Sequence, residues 1–203
     1  MKNPANRDLF DYWNQCRGRR LAPERGDIEP NAIRHVLGDS FFLTKDFAST
    51  FPFRLAGTRL CALFGRELKS ESFFNLWAQT DQKTVRKLMA AVVDDKVGVV
   101  AHATGRTTDG APLVVNLELL LLPLLQRGPL DPRVLGALVP MPVPFWFGAR
   151  VVGLLELGML RHIGPAIDQF PAPRLVAGGQ GGEIRPVGQN RGKLVLYEGG
   201  RTD

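Results

Sequence analysis

Two rhythms of apolar residues run along the chain. Phe51, Phe53 and Leu55 stand at every second position, the spacing of a strand that buries one face. That strand, Phe51 to Ala56, is predicted to end where Gly57 permits the backbone to reverse. Thr58 can then cap a short helix carrying Leu60, Cys61, Leu63 and Phe64, with Gly65 as its stop. Val85, Leu88, Met89 and Val92 follow the helical i, i+3, i+4, i+7 pattern, predicting a longer helix capped by Asp81 and ending near Asp94 and Asp95. Between these two helices Leu68, Phe73, Phe74, Leu76 and Trp77 are spaced too irregularly for one helix and suit short helical turns.

The flanking stretches extend the picture. Asn3 followed by Pro4 is a cap and first turn, and Leu9, Trp13 and Cys16, with Tyr12 beside them, recur at helical spacing, predicting a leading amphipathic helix. Arg17, Arg19 and Arg20 favour the negative end of its dipole, and Pro23 prevents extension. Ile33, Val36 and Leu37 give a short helix stopped by Gly38, and Phe41 to Thr44 a first strand, antiparallel to the next across the short gap of Asp46 to Thr50. Val97 to Thr108 and Pro112 to Pro123 flank Asp109-Gly110, a dipeptide suited to a tight hairpin. A loop symmetric about that pair sets His102 opposite Leu117, on the buried face with Leu113, Val115, Leu119 and Leu121. Val134 to Val139 completes a five-stranded antiparallel sheet. Pro140, Pro142 and Pro144 mark an exit from it, and Phe145 to Ile163 is apolar enough to add an extended segment or short helix over an edge.

This division gives an N-terminal helix and turn over residues 1–30, a core over 31–140, an apolar extension packing on the core over 141–170 and a tail over 171–203. In the tail, Gly178, Gly179, Gly181 and Gly182 predict flexibility, and Lys193 to Tyr197 could pair as a strand with a partner. With 203 residues, 44% hydrophobic and 23% charged, the chain has material for one real core.

The net charge of +6 invites a nucleic-acid reading, but the charge lies largely at the ends. Six Lys and Arg against three acids leave +3 in residues 1–25, five against three leave +2 in 172–203, and the middle carries the remaining +1. No basic stripe interleaved with aromatics appears, so nucleic-acid binding through the termini is the lesser alternative. Two distant cysteines, Cys16 and Cys61, suit a reducing compartment, and no apolar stretch reaches membrane-spanning length before Pro123, Arg150 or Glu156 interrupts it. The expected setting is cytoplasmic, without membrane insertion.

The residues WNQCRGRRLAPERGDIEP, FRLAGTRLCALFGRELK, FFNLW and LELLLLPL, taken in succession, resemble a branch of small stand-alone bacterial PAS proteins over Leu9 to Val139, with weaker similarity through LRHIG. The resemblance implies an α+β PAS fold, a five-stranded antiparallel sheet with short helices and one longer helix on one face, preceded by the amphipathic helix. It implies a non-enzymatic sensory or regulatory module in bacterial signalling that acts through protein partners, with a small ligand possible between sheet and helices. A ligand-free scaffold for protein contacts is the alternative.

The candidate ligand-binding residues are Arg54 and Thr58 beside Gly57, Cys61, the aromatics Phe64 and Trp77, and His102 if it faces inward. Leu9, Tyr12, Trp13 and Cys16 are the candidate face for a homodimer, equally able to pack on their own domain. Imidazole can be an axial haem ligand, but His102 has no companion ligand in the sequence, and Cys61 in GTRLCALFGR lacks the context of a flavin-binding PAS domain. His35 and His162 have no adjacent carboxylate or cysteine in sequence, and GGQGG lacks the Lys and Ser/Thr of a phosphate loop, so the sequence names no cofactor, no metal site and no catalytic residue.

Overall fold

The structure is a computed structural model and describes residues 1–126, 128 and 133–164. The expected tail, residues 171–203, lies outside the described residues. Among the described residues, three α-helices, α1 (Pro4–Arg17), α2 (Thr58–Phe64) and α3 (Gln79–Asp94), surround six strands: β1 (Ser40–Leu43), β2 (Phe53–Ala56), β3 (Gly98–Arg106), β4 (Val114–Pro123), β5 (Val134–Pro140) and β6 (Glu156–Ile163). Every pairing is antiparallel, and the order is β2-β1-β5-β4-β3-β6. The sheet therefore has one strand more than the sequence pattern indicates. The addition, β6, comes from the apolar extension and pairs with β3 at the edge.

Both faces of the sheet are covered. Phe41 and Leu43 of β1, Leu117, Leu119 and Leu121 of β4, and Val134 and Leu138 of β5 face α2, α3 and the helical turn Phe73–Leu76, forming the larger core. The alternate residues, Phe42, Leu120, Leu122, Leu135, Ala137 and Val139, form a second core with Leu9 and Trp13 of α1, closed by Ala22, Ile28, Ile33 and Val36. Two covered faces explain why β4 reads as the nearly continuous run LELLLLP, where a half-solvated strand would alternate.

The leading helix begins as its sequence dictates. Asn3 accepts the Ala5 N–H at 2.8 Å and Pro4 opens the first turn, while Gly18 at φ 56° ends it. Its apolar stripe packs on its own sheet. Leu9 and Trp13 are fully buried there, and the Trp13 indole N–H donates to the Pro123 carbonyl at 2.9 Å. Tyr12 and Cys16 pack at the edge of the same core, the hydroxyl and thiol both near the Asp27 carbonyl. Of the face offered by the sequence for a homodimer, Leu9 and Trp13 are thus buried within the chain, because the outer sheet face is itself apolar and needs a cover, while Tyr12 and Cys16 stay partly exposed.

The turn at Gly57 also has a different basis from the expected one. Its backbone is ordinary extended chain at φ −69°, and no side chain caps α2. A Cβ at this position would stand 2.2 Å from the Leu37 carbonyl oxygen and 2.3 Å from that of Gly38, so glycine is required by backbone crowding. Gly65 at φ 63° ends α2 in the left-handed conformation as expected. Asp81 lies inside the first turn of α3 instead of capping it, and its carboxylate accepts the Leu157 N–H at 2.9 Å, fastening the start of β6 to the helix.

Candidate functional site

The interior between helices and sheet is filled by the chain's own side chains. Phe41, Phe53, Phe73 and Trp77 pack ring against ring at centroid distances of 5.5 to 6.0 Å, and Phe51 and Phe74 continue the cluster at 5.9 Å. Such offset and edge-on pairs add about 0.5–1.5 kcal/mol each beyond area burial. Phe64 is buried in the same core. One polar atom there is unmatched: the Trp77 indole N–H is buried without a hydrogen-bond partner among the described residues. An orphan of this kind costs about 1–3 kcal/mol.

The structure does not gather the residues that the sequence nominated as a ligand-binding group. Arg54 and Thr58 are exposed. Cys61 is half-buried against the edge of the core, where desolvation pushes its thiol up and the neighbouring Glu67 adds to the effect. Phe64 and Trp77 belong to the packed interior, and His102 lies on the opposite face of the sheet. That last displacement is a one-residue slip. Arg106 pairs with Val114 and His102 with Glu118, because the connection is a wider loop in which the Thr107 N–H donates to the Leu113 carbonyl. Asp109 and Gly110 stand inside that loop instead of forming a two-residue turn. A slip of one residue turns every β3 side chain over, so Ala101 and Ala103 enter the interior and His102 leaves it.

On that outer face a groove of about 580 Å³ opens beside the N-terminus of α1. Val100, Ala101 and His102 of β3, Glu118 of β4, and Met159, Leu160 and Arg161 of β6 line it, with Met1, Lys2 and Met141 at its margins. The groove exists because α1 covers β4 and β5 but does not reach across β3 to β6. Glu118, only 4% exposed, holds the helix at the groove's boundary. Its carboxylate accepts the Lys2 N–H at 2.7 Å, the Asn3 N–H at 3.0 Å and the Asn6 side-chain amide at 3.2 Å, and the Asn6 amide also donates to the Glu118 carbonyl at 3.1 Å. A carboxylate against the first turn complements the positive end of the helix dipole. Glu118 alternates with the inward Leu117 and Leu119, which sets it on the outer face, but its partner and burial depend on a helix more than 100 residues earlier.

Two further charged contacts lie outside the groove. Asp39, 6% exposed, accepts from Arg59 at 3.0 Å, and the Arg59 guanidinium also lies 4.9 Å from the Phe147 ring centroid. Burial raises the Asp39 pKa despite this pairing. His35, which the sequence left without a carboxylate, lies 3.5 Å from Asp8 at the surface. Among the described residues no group of three or more His, Cys, Asp or Glu is placed to hold a metal ion, and no helix is long and apolar enough to cross a membrane.

A family model described as "PAS domain" matches residues 1–139. The comparisons with curated proteins and with solved structures return no match.

Proposed function

The chain belongs to the PAS domain family, and on that premise we propose that it is a non-enzymatic regulatory module of bacterial signalling, working in the cytoplasm through contact with protein partners. The observation that carries this reading is the state of the interior. The space between sheet and helices is occupied by Phe41, Phe53, Phe73, Phe74 and Trp77, and the polar candidates Arg54 and Thr58 point to solvent. A module whose interior is packed by its own aromatics transmits through its surfaces, by offering or withdrawing a docking face.

One observation favours a second reading, a small ligand held in the interior. The unpartnered Trp77 N–H could donate to a carbonyl or hydroxyl that enters the core. Native mass spectrometry of the protein as purified separates the two. The first reading expects the mass of the polypeptide without a retained small molecule; a stoichiometric adduct that Trp77→Phe abolishes would replace it with the second. Turnover of a small substrate by the pure protein, lost in an unfolded control, would end the non-enzymatic proposal.

A further inference from the structure

The outer groove combines apolar side chains with the cationic Lys2 and Arg161. Val100 stands directly opposite Arg161 in the β3-β6 register and His102 opposite Glu118 in the β3-β4 register, so all four side chains share the outer face. The register of β6 shifts between its pairings with Ala101 and Ala103, and Met159 falls in that irregular step, 87% exposed. Gly158 lies beneath the imidazole: a Cβ there would be 3.1 Å from His102 Nδ1, so the glycine keeps the histidine close against β6.

The charge balance of the groove is one-sided. Its single acid, Glu118, is already engaged by two backbone N–H groups and the Asn6 amide. The Lys2 ammonium, the Arg161 guanidinium and the His102 imidazole have no hydrogen-bond or ion-pair partner of their own among the described residues, and all three line the groove. An exposed apolar surface beside the unpaired Lys2 and Arg161 cations is complementary to a molecule with an apolar body and one anionic end. The volume lies within the roughly 300–1,000 Å³ usual for small-molecule sites.

We propose that this groove between the N-terminus of α1 and the β3-β6 edge binds an amphipathic carboxylate, its apolar chain on Val100, Met141 and Met159 and its carboxylate on Arg161 and Lys2. Arg161 supplies the planar pair of donors that matches a carboxylate, Lys2 adds a second positive charge, and His102 adds a ring N–H. The site is independent of the interior and of any ligand held there. Because it is bounded by the first turn of α1, occupancy couples directly to the seating of that helix.

The test uses the full chain and decanoate, kept below its micelle concentration, with decanol as the neutral probe of equal length. Calorimetry should give saturable one-to-one binding of decanoate at least about tenfold tighter than decanol, a difference equal to about 1.4 kcal/mol. Replacing both Lys2 and Arg161 by Gln should remove that preference while leaving decanol affinity and thermal stability unchanged. Amide chemical shifts on titration should move at Val100, His102, Glu118 and Arg161. No saturable binding, equal binding of decanoate and decanol, or a preference that survives the double substitution would overturn the proposal. So would shifts centred on Phe73 and Trp77, which would place the ligand in the interior.

Discussion

Replacing Glu118 by Gln should loosen the joint between α1 and the sheet without changing the size of the buried side chain. The carboxylate now accepts three hydrogen bonds, from Lys2 N–H, Asn3 N–H and the Asn6 amide, at 2.7 to 3.2 Å. A glutamine keeps one acceptor oxygen and turns an NH2 group toward at least one of these donors. Hydrogen bonds to a charged group contribute about 1.5–3 kcal/mol and neutral ones about 0.5–1.5, so losing one and weakening the others removes about 3 kcal/mol. Loss of the charge facing the helix N-terminus removes about 0.3–1 kcal/mol more. Relief of the desolvation that a buried carboxylate suffers offsets part of this, leaving a net destabilisation of about 2–3 kcal/mol. Urea unfolding followed by tryptophan fluorescence measures it: with a slope of about 2 kcal/mol per molar, the midpoint should fall by about 1–1.5 M. Glu67→Gln, at an exposed position, is the control and should stay within about 0.5 kcal/mol. A Glu118→Gln midpoint within error of the parent would refute the idea that this carboxylate seats the helix.

Other substitutions probe separate parts of the molecule. Gly57→Ala should lower stability by about 2 kcal/mol or more, since the new Cβ meets backbone oxygens that cannot swing aside, and a thermal melt within one degree of the parent would contradict that crowding. Trp13→Ala should cost about 3–5 kcal/mol by emptying the second core, whereas a neutral result accompanied by loss of a dimer would return this face to self-association. Trp77→Phe should cost less than about 1.5 kcal/mol, because the lost volume is offset by removing an unpartnered N–H, and a larger loss in urea would show that the indole has a partner. For Asp39 the folded-state pKa is raised, chiefly by burial, so the native state holds its proton more tightly than the unfolded chain. Its contribution to stability is therefore greatest at low pH and declines as pH rises above the ordinary carboxylate value of 3.8. The stability of the parent relative to Asp39→Asn should fall over that rise, and unfolding midpoints that run parallel in the two proteins would contradict the sign.

Legibility varied with the distance over which each feature is encoded. Asn3-Pro4, the Leu9-Trp13 spacing, and the run from Thr58 to the left-handed Gly65 specify their elements through neighbours only a few residues away, and α1 and α2 form as read. The antiparallel β1-β2 pair, the β3-β4 hairpin and the α+β class follow from similar local signals, whereas the placing of β5 between β1 and β4 does not. The candidate site was far less legible. Its residues come from the first turn of the chain, from β3 and β4, and from a sixth strand with exposed apolar positions, and no local pattern links Lys2 or Arg161 to His102.

Local sequence thus determined α1, α2, α3 and the first five strands, because side-chain period and glycine stops act within one turn or one pleat, although the caps expected at Thr58 and Asp81 do not form. Tertiary structure alone decided which face each strand presents and what covers it. The loop from Thr107 to Leu113 shifts the register of β3 by one residue, a change almost invisible in the sequence, and that shift carries His102 from the interior to the outer groove. In the same way α1 was legible as an amphipathic helix but not as the cover of its own sheet. Its partner surface, Leu120, Leu122, Leu135 and Val139, exists only after the strands have paired.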